Sequence, residues 1–141
     1  MKKLLTLLLI QIVLISTQTS HAQYSWAQLG LDIDGESAND ESGTSLSINA
    51  SGDRIAIGAP KNGGNGSNAG HVRIYEWDGT SWTQMGLDIE GEAAGHYSGS
   101  VSINASGDRV AIGAHKNDGN GLDAGHVRIY EWDGVSWTQM G

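Results

Sequence analysis

The chain has no cysteine, no phenylalanine, a single proline (Pro60), and only 8 lysines and arginines against 16 acidic residues. Without cysteine no disulfide can staple the fold, so stability must come from burial, ions or assembly. With so few basic residues there is no cationic face of the kind that holds nucleic acid or anionic lipid, and neither is an expected partner. The acidic balance itself points only to solubility. Long hydrophobic runs are also missing. The one apolar run, residues 4–15, is shorter than the ~20 residues that a membrane helix needs. It follows Lys2 and Lys3 and precedes the small residues Ser20-His21-Ala22, the pattern of a secretory signal peptide over residues 1–22, with the mature chain starting at Gln23. The expected location is therefore extracellular, at the cell surface or periplasmic, and export without cysteine fits a bacterial setting. No stable membrane span is expected after cleavage.

What the chain has instead is repetition. Residues 26–81 and 82–136 align with one extra residue, Thr44, in the first copy, and a third copy begins at Trp137. A unit of about 55 residues with its own strands and turns cannot cover its apolar faces alone and must stack on copies of itself. The 21 glycines recur at fixed places in the unit and so mark turns rather than a linker. The organisation read from this is a signal peptide (1–22), a first unit with a preceding outer strand (23–81) and a second unit (82–141).

Each unit reads as four strands. Residues 45–49 and 100–104 alternate small with bulky side chains, and the turn clusters Asn49-Ala50-Ser51-Gly52-Asp53 and Asn104-Ala105-Ser106-Gly107-Asp108 lead into second strands at 54–59 and 109–114. One face of this hairpin carries Val, Leu and Ile and the other Ser, Ala and Gly, as expected where another sheet packs closely. Third strands span 70–77 and 125–132. Asp78-Gly79 and Asp133-Gly134 then signal tight turns into fourth strands at 81–86 and 136–141, with a looser copy at 25–30. No stretch has a helical period. The expected fold is all-β: two four-stranded antiparallel β-propeller blades, a partial propeller, since closed rings take ~4 to 8 blades. A β-helix would repeat in shorter coils, and an immunoglobulin-like sandwich would need unlike strands.

The order of these elements resembles the FG-GAP repeats that build the propeller of integrin alpha subunits and of many secreted bacterial proteins. Gly58-Ala59-Pro60 stands as the GAP element and Gly113-Ala114-His115 as its variant, while Ser42-Gly43 and Ser98-Gly99 occupy the FG place. The Gly-Asp-Arg-Val-Ala-Ile-Gly-Ala wording resembles a form found in exported proteins of the Bacteroidetes group. The resemblance implies propeller blades and an adhesion or recognition role. Many members carry a calcium loop of the Asp-x-Asp-x-Asp-Gly type between the FG and GAP strands. Here that place holds one amide and one carboxylate per copy, Asn49 with Asp53 and Asn104 with Asp108, so calcium is not carried over and the loops read as plain turns.

Other candidate chemistry is set against plainer readings. Asp32, Asp34 and Glu36, with their copies Asp88, Glu90 and Glu92, could hold a cation or act as an acid and base pair, but their recurrence favours a solvated loop. The Gly- and Asn-rich loops 62–68 and 117–123 could bind calcium weakly through carbonyls with Asp118 or Asp123; they read more simply as blade-tip loops, where propellers meet partners. Trp26, Trp82 and Trp137 occupy one repeat position and Trp77 and Trp132 another, which points to packing between blades over sugar stacking. His71 and His126 are expected to open the third strands as satisfied polar residues, and His96 and His115 have no ligand spacing. Asp40 and Glu41 in the first copy, against His96 and Tyr97 in the second, form no recognisable catalytic set. The expected function is a non-enzymatic, exported scaffold or adhesion and recognition module, probing a protein or glycan ligand, with further blades or self-association. A carbohydrate-binding propeller is the alternative and a hydrolase ranks below it. No catalytic, cofactor or metal residues are assigned.

Overall fold

In the computed structural model, residues 25–141 are described; the expected signal peptide lies outside the described residues. The described chain is all-β, with strands β1 (Ser45–Ile48), β2 (Arg54–Ala59), β3 (His71–Trp77), β4 (Trp82–Gln84), β5 (Ile89–Glu90), β6 (Ser98–Ile103), β7 (Arg109–Ala114), β8 (His126–Trp132) and β9 (Trp137–Gln139). They form two antiparallel sheets, β1-β2-β3-β4 with β5 added to β3, and β6-β7-β8-β9. Among the described residues no helix is long and apolar enough to cross a membrane.

The hairpins form for local reasons. Asn49 Oδ1 accepts from the amides of Asp53 and Arg54, while its Nδ2 donates to Ser51 Oγ and Asp53 Oδ1, which closes the β1-β2 turn; Asn104 repeats the arrangement between β6 and β7. In each turn the Asp Oδ1 accepts from both the Asn and the Ser side chains. Asp78 and Asp133 cap the β3-β4 and β8-β9 turns by accepting from the amides two and three residues on, those of Thr80 and Ser81 and of Val135 and Ser136.

Register then sorts the side chains into faces. Ser45, Gly58 and Val72 lie opposite one another across β1, β2 and β3, as do Ser47, Ala56 and Ile74. This face of the first sheet packs on the face of the second that carries Val101, Ile103, Val110, Ile112 and Tyr130. Ser45 and Ser47 hydroxyls accept the backbone amides of Val101 and Ile103 across the gap. Ala56, Val72, Ile74, Met85, Ile89, Ile103, Val110, Ile112 and Tyr130 make one core between the sheets. The small face thus meets the bulky face of the next copy, the packing expected from the alternation. Fully burying each branched side chain contributes roughly 1.5–3 kcal/mol.

Two segments differ from the sequence expectation. Residues 25–29 form no strand and Trp26 is fully exposed; among the described residues no strand pairs with this segment. Residues 88–92, read as a solvated loop, instead contain β5, where Glu90 pairs with His71 and the buried Ile89 with Val72. The fourth strands are also shorter than 81–86 and 136–141.

Candidate functional site: a histidine between carboxylates at the start of β3

His71 opens β3 and is buried, because β2 covers one of its edges through Ala59 and β5 the other through Glu90. Its Nδ1 lies 3.4 Å from Asp88 Oδ2 and 3.7 Å from Glu36 Oε2, without a hydrogen-bond partner. The three ligand atoms all fall within 4.8 Å of one another. Glu36 comes from the segment before β1 and Asp88 from the link between β4 and β5, so three distant stretches of chain converge. The expectation of a satisfied polar histidine does not hold at this atom: strand pairing uses the backbone of His71 and leaves the ring facing two acids.

The carboxylates are held from outside. Gln84 Nε2 donates to Asp88 Oδ1 at 2.6 Å. Asn62, itself buried, donates to Asp40 at 2.8 Å and to Glu36 Oε2 at 3.3 Å. Arg73 Nη1 lies 3.9 Å from Glu36 Oε1, while its Nη2 donates to the Asp34 carbonyl. Glu90 sits beside this group, and its acidity is weakened, first by burial and then by the nearby Asp88 and Glu36, with His71 acting in the opposite sense. One Glu90 oxygen is buried without a partner. The second copy repeats part of the arrangement: His126 Nδ1 lies 3.8 Å from Glu92 Oε2, Asn117 donates to the same carboxylate, and Arg128 donates to the Glu90 carbonyl.

The remaining candidates are dispersed. Asp32 accepts from Gln28 and is exposed, and Asp34 contributes its carbonyl, so Asp32, Asp34 and Glu36 do not act as one face. Asp118 accepts the Asp123 amide. Asn65 ties the first Gly- and Asn-rich loop to the carbonyls of Gly91 and Glu92, whereas the second loop projects Leu122 into solvent. Asp40 and Glu41 meet Asn62 and Lys61, and the corresponding His96 and Tyr97 meet Asn117 and Lys116, so these unlike positions are paired structural contacts. His115 stacks obliquely near Tyr97.

The tryptophans form two tilted pairs, Trp77 with Trp82 at 5.5 Å and Trp132 with Trp137 at 5.4 Å. Trp137 Nε1 donates to the Met85 carbonyl, and Gly86, at positive φ, passes so close that a Cβ there would stand 3.0 Å from the Trp132 ring. Trp82 and Gly30 repeat this with Leu29. Each pair therefore clasps an earlier stretch of chain, Leu29-Gly30 for the first pair and Met85-Gly86 for the second. Beside each pair lies an open groove, of about 570 Å³ along Leu31, Asp32, Tyr75 and Trp82 and of about 810 Å³ along Asp88, Glu90, Arg128, Tyr130 and Trp137.

Comparison with protein-family models and with curated proteins finds no match for this chain.

Proposed function

We propose that the chain is an exported, non-enzymatic repeat protein of the FG-GAP kind, a scaffold or adhesion and recognition module acting outside the cytoplasm, whose sheets stack head to tail as propeller blades do. The observation that supports this reading is the match between the small face of the first sheet and the bulky face of the second, made from repeated residues. The same two kinds of face recur, uncovered, on the outside: Leu46 and Ile48 on one side, Val127 and Ile129 on the other. Apolar faces of this kind are covered by further sheets of the same make, further blades or, for this chain by itself, a second copy. Size-exclusion chromatography with light scattering tests this. Assemblies whose mass grows with concentration, reduced to monomers by Ile129→Lys, are expected. A wild-type monomer that unfolds cooperatively at all concentrations overturns the stacking reading.

A glycan ligand is favoured as the alternative function by the repeated grooves, since each sets indole and phenol rings beside carboxylates, and the second adds a guanidinium. On a glycan array, loss of binding by Trp137→Ala with an unchanged melting temperature supports it. Absence of glycan binding by the wild-type chain removes it.

A further inference from the structure

We propose that Glu36, His71 and Asp88 form a zinc site at the start of β3. His71 is 1 % exposed, and its Nδ1 is without a hydrogen-bond partner. A buried imidazole nitrogen is costly to leave unpaired, and here it points at two carboxylate oxygens rather than into an apolar wall. A proton shared with either carboxylate would draw the pair to ~2.7–2.9 Å. The gaps of 3.4 and 3.7 Å are longer than that. They match the edges of a tetrahedron about a zinc ion bound at ~2.1 Å, which are about 3.4 Å. The third edge, between Glu36 and Asp88, lies within 4.8 Å, and the exposed Glu36 can close it by a small rotation.

The surroundings resemble a metal's outer shell. On Asp88, Oδ1 is held by Gln84 and leaves Oδ2 toward His71; on Glu36, Oε1 faces Arg73, while Oε2 faces His71 and also accepts from Asn62 at 3.3 Å. Outer hydrogen-bond partners orient carboxylate ligands, on Asp88 by fixing one oxygen and freeing the other and on Glu36 by holding both oxygens in place. A donor set of one imidazole nitrogen and two carboxylates suits zinc, whereas calcium takes six to eight oxygens. Three protein ligands leave the fourth position to water on the side of the exposed Glu36.

The second copy is an internal control. It has His126 and Glu92 at 3.8 Å, but among the described residues no third metal-ligating side chain converges on them as at His71, and the ring of His126 is less buried. One zinc per chain is therefore expected, held by the first copy.

The full chain is titrated with ZnCl₂ by isothermal calorimetry, with CaCl₂ and MgCl₂ in parallel, and its melting temperature is followed. The expected result is one saturable zinc per chain with a rise in melting temperature, and no comparable response to calcium or magnesium. Glu36→Gln and Asp88→Asn, both at partly exposed carboxylates and so compatible with folding, should each weaken zinc at least about tenfold. His126→Ala should leave it unchanged. No saturable binding, binding indifferent to Glu36→Gln and Asp88→Asn, or binding lost with His126→Ala each overturns the site.

Discussion

Val72 and Val127 are the same residue at the same place in two nearly identical strands, yet the first is 0 % exposed and the second 65 %. Ile74 and Ile129 differ in the same way, at 0 and 46 %. On the opposite face the asymmetry reverses: Ile103 is buried and its counterpart Ile48 is half-exposed. Sequence places these residues on a face, and only the neighbouring sheet decides whether the face is core. In a stacked array the energetic unit is therefore the interface between copies, not the copy.

The sharpest way to break this comparison is at the closest approach. A Cβ on Gly58 would stand 1.8 Å from the Gly99 carbonyl oxygen of the next sheet, whereas on Gly113 it would meet only Ser100 Cβ at 3.3 Å. Backbone cannot yield as a side-chain tip does. Gly58→Ala is expected to cost at least about 3 kcal/mol, or to prevent folding, while Gly113→Ala costs less than about 1 kcal/mol. Urea unfolding followed by Trp fluorescence checks both; equal costs would mean that the sheets do not press together at Gly58.

Truncation of the paired isoleucines is next in size. Ile74→Ala removes a fully buried side chain from the core between the sheets and should cost about 2–5 kcal/mol. Ile129→Ala, on the uncovered face, should fall within about 1 kcal/mol in the monomer. Should the chain self-associate as proposed, Ile129→Ala becomes costly only at concentrations where assemblies form, and the concentration dependence of the melting temperature separates the two cases.

Much of this architecture is legible in the sequence because its causes are local. The strand bounds of β2 and β7 follow from an Asn-x-Ser-Gly-Asp turn on one side and a Gly-Ala pair followed by Pro60 or His115 on the other, and the two-faced alternation of β1 and β6 foretells sheet packing. The cluster at His71 was not legible. Glu36, His71 and Asp88 are far apart in sequence, and each is unremarkable alone; they meet because β5 adds to β3, and β5 was hidden in a two-residue strand flanked by acids. The usable signal was joint recurrence: Asp-Ile-x-Gly-Glu and Gly-His return together in both copies, which a ligand set shared across a unit boundary would require. Residues 25–30 erred in the other direction, since strand-like composition makes no strand without a partner edge.

A smaller contrast separates the arginines that open β2 and β7. Both form a salt bridge across to β3 or β8, Arg54 with Glu76 at 2.6 Å and Arg109 with Glu131 at 2.8 Å. Only Arg54 reaches the other sheet, where Nη1 donates to the Gly107 carbonyl at 3.2 Å and its stem packs at the Gly107 backbone. Exposed ion pairs contribute about 0–1 kcal/mol. Arg54→Ala should therefore exceed Arg109→Ala by no more than about 1 kcal/mol, a difference measurable by denaturant midpoints with unchanged slopes.

The least difference of all is expected where structure is wholly local, in the acid limb of the stability curve. Asp53 has its acidity strengthened by hydrogen bonds from Ser51 and then Asn49, and Asp108 by bonds from Asn104 and then Ser106. Each carboxylate thus holds its proton less tightly in the folded chain than at its ordinary value of 3.8. The sign follows: the stabilisation is fully present above that value and is lost as pH falls through the lower folded value, where the folded chain must also take up the proton. Asp53→Asn and Asp108→Asn should flatten the acid limb of the melting temperature below pH 3.8 to the same extent, although one turn lies in the sheet whose small face is covered and the other in the sheet whose small face is open. A larger effect at Asp53 would show that the turn between β1 and β2, like the face beneath it, draws its stability from the neighbouring sheet, through the Ala50 amide that donates to the Ala105 carbonyl.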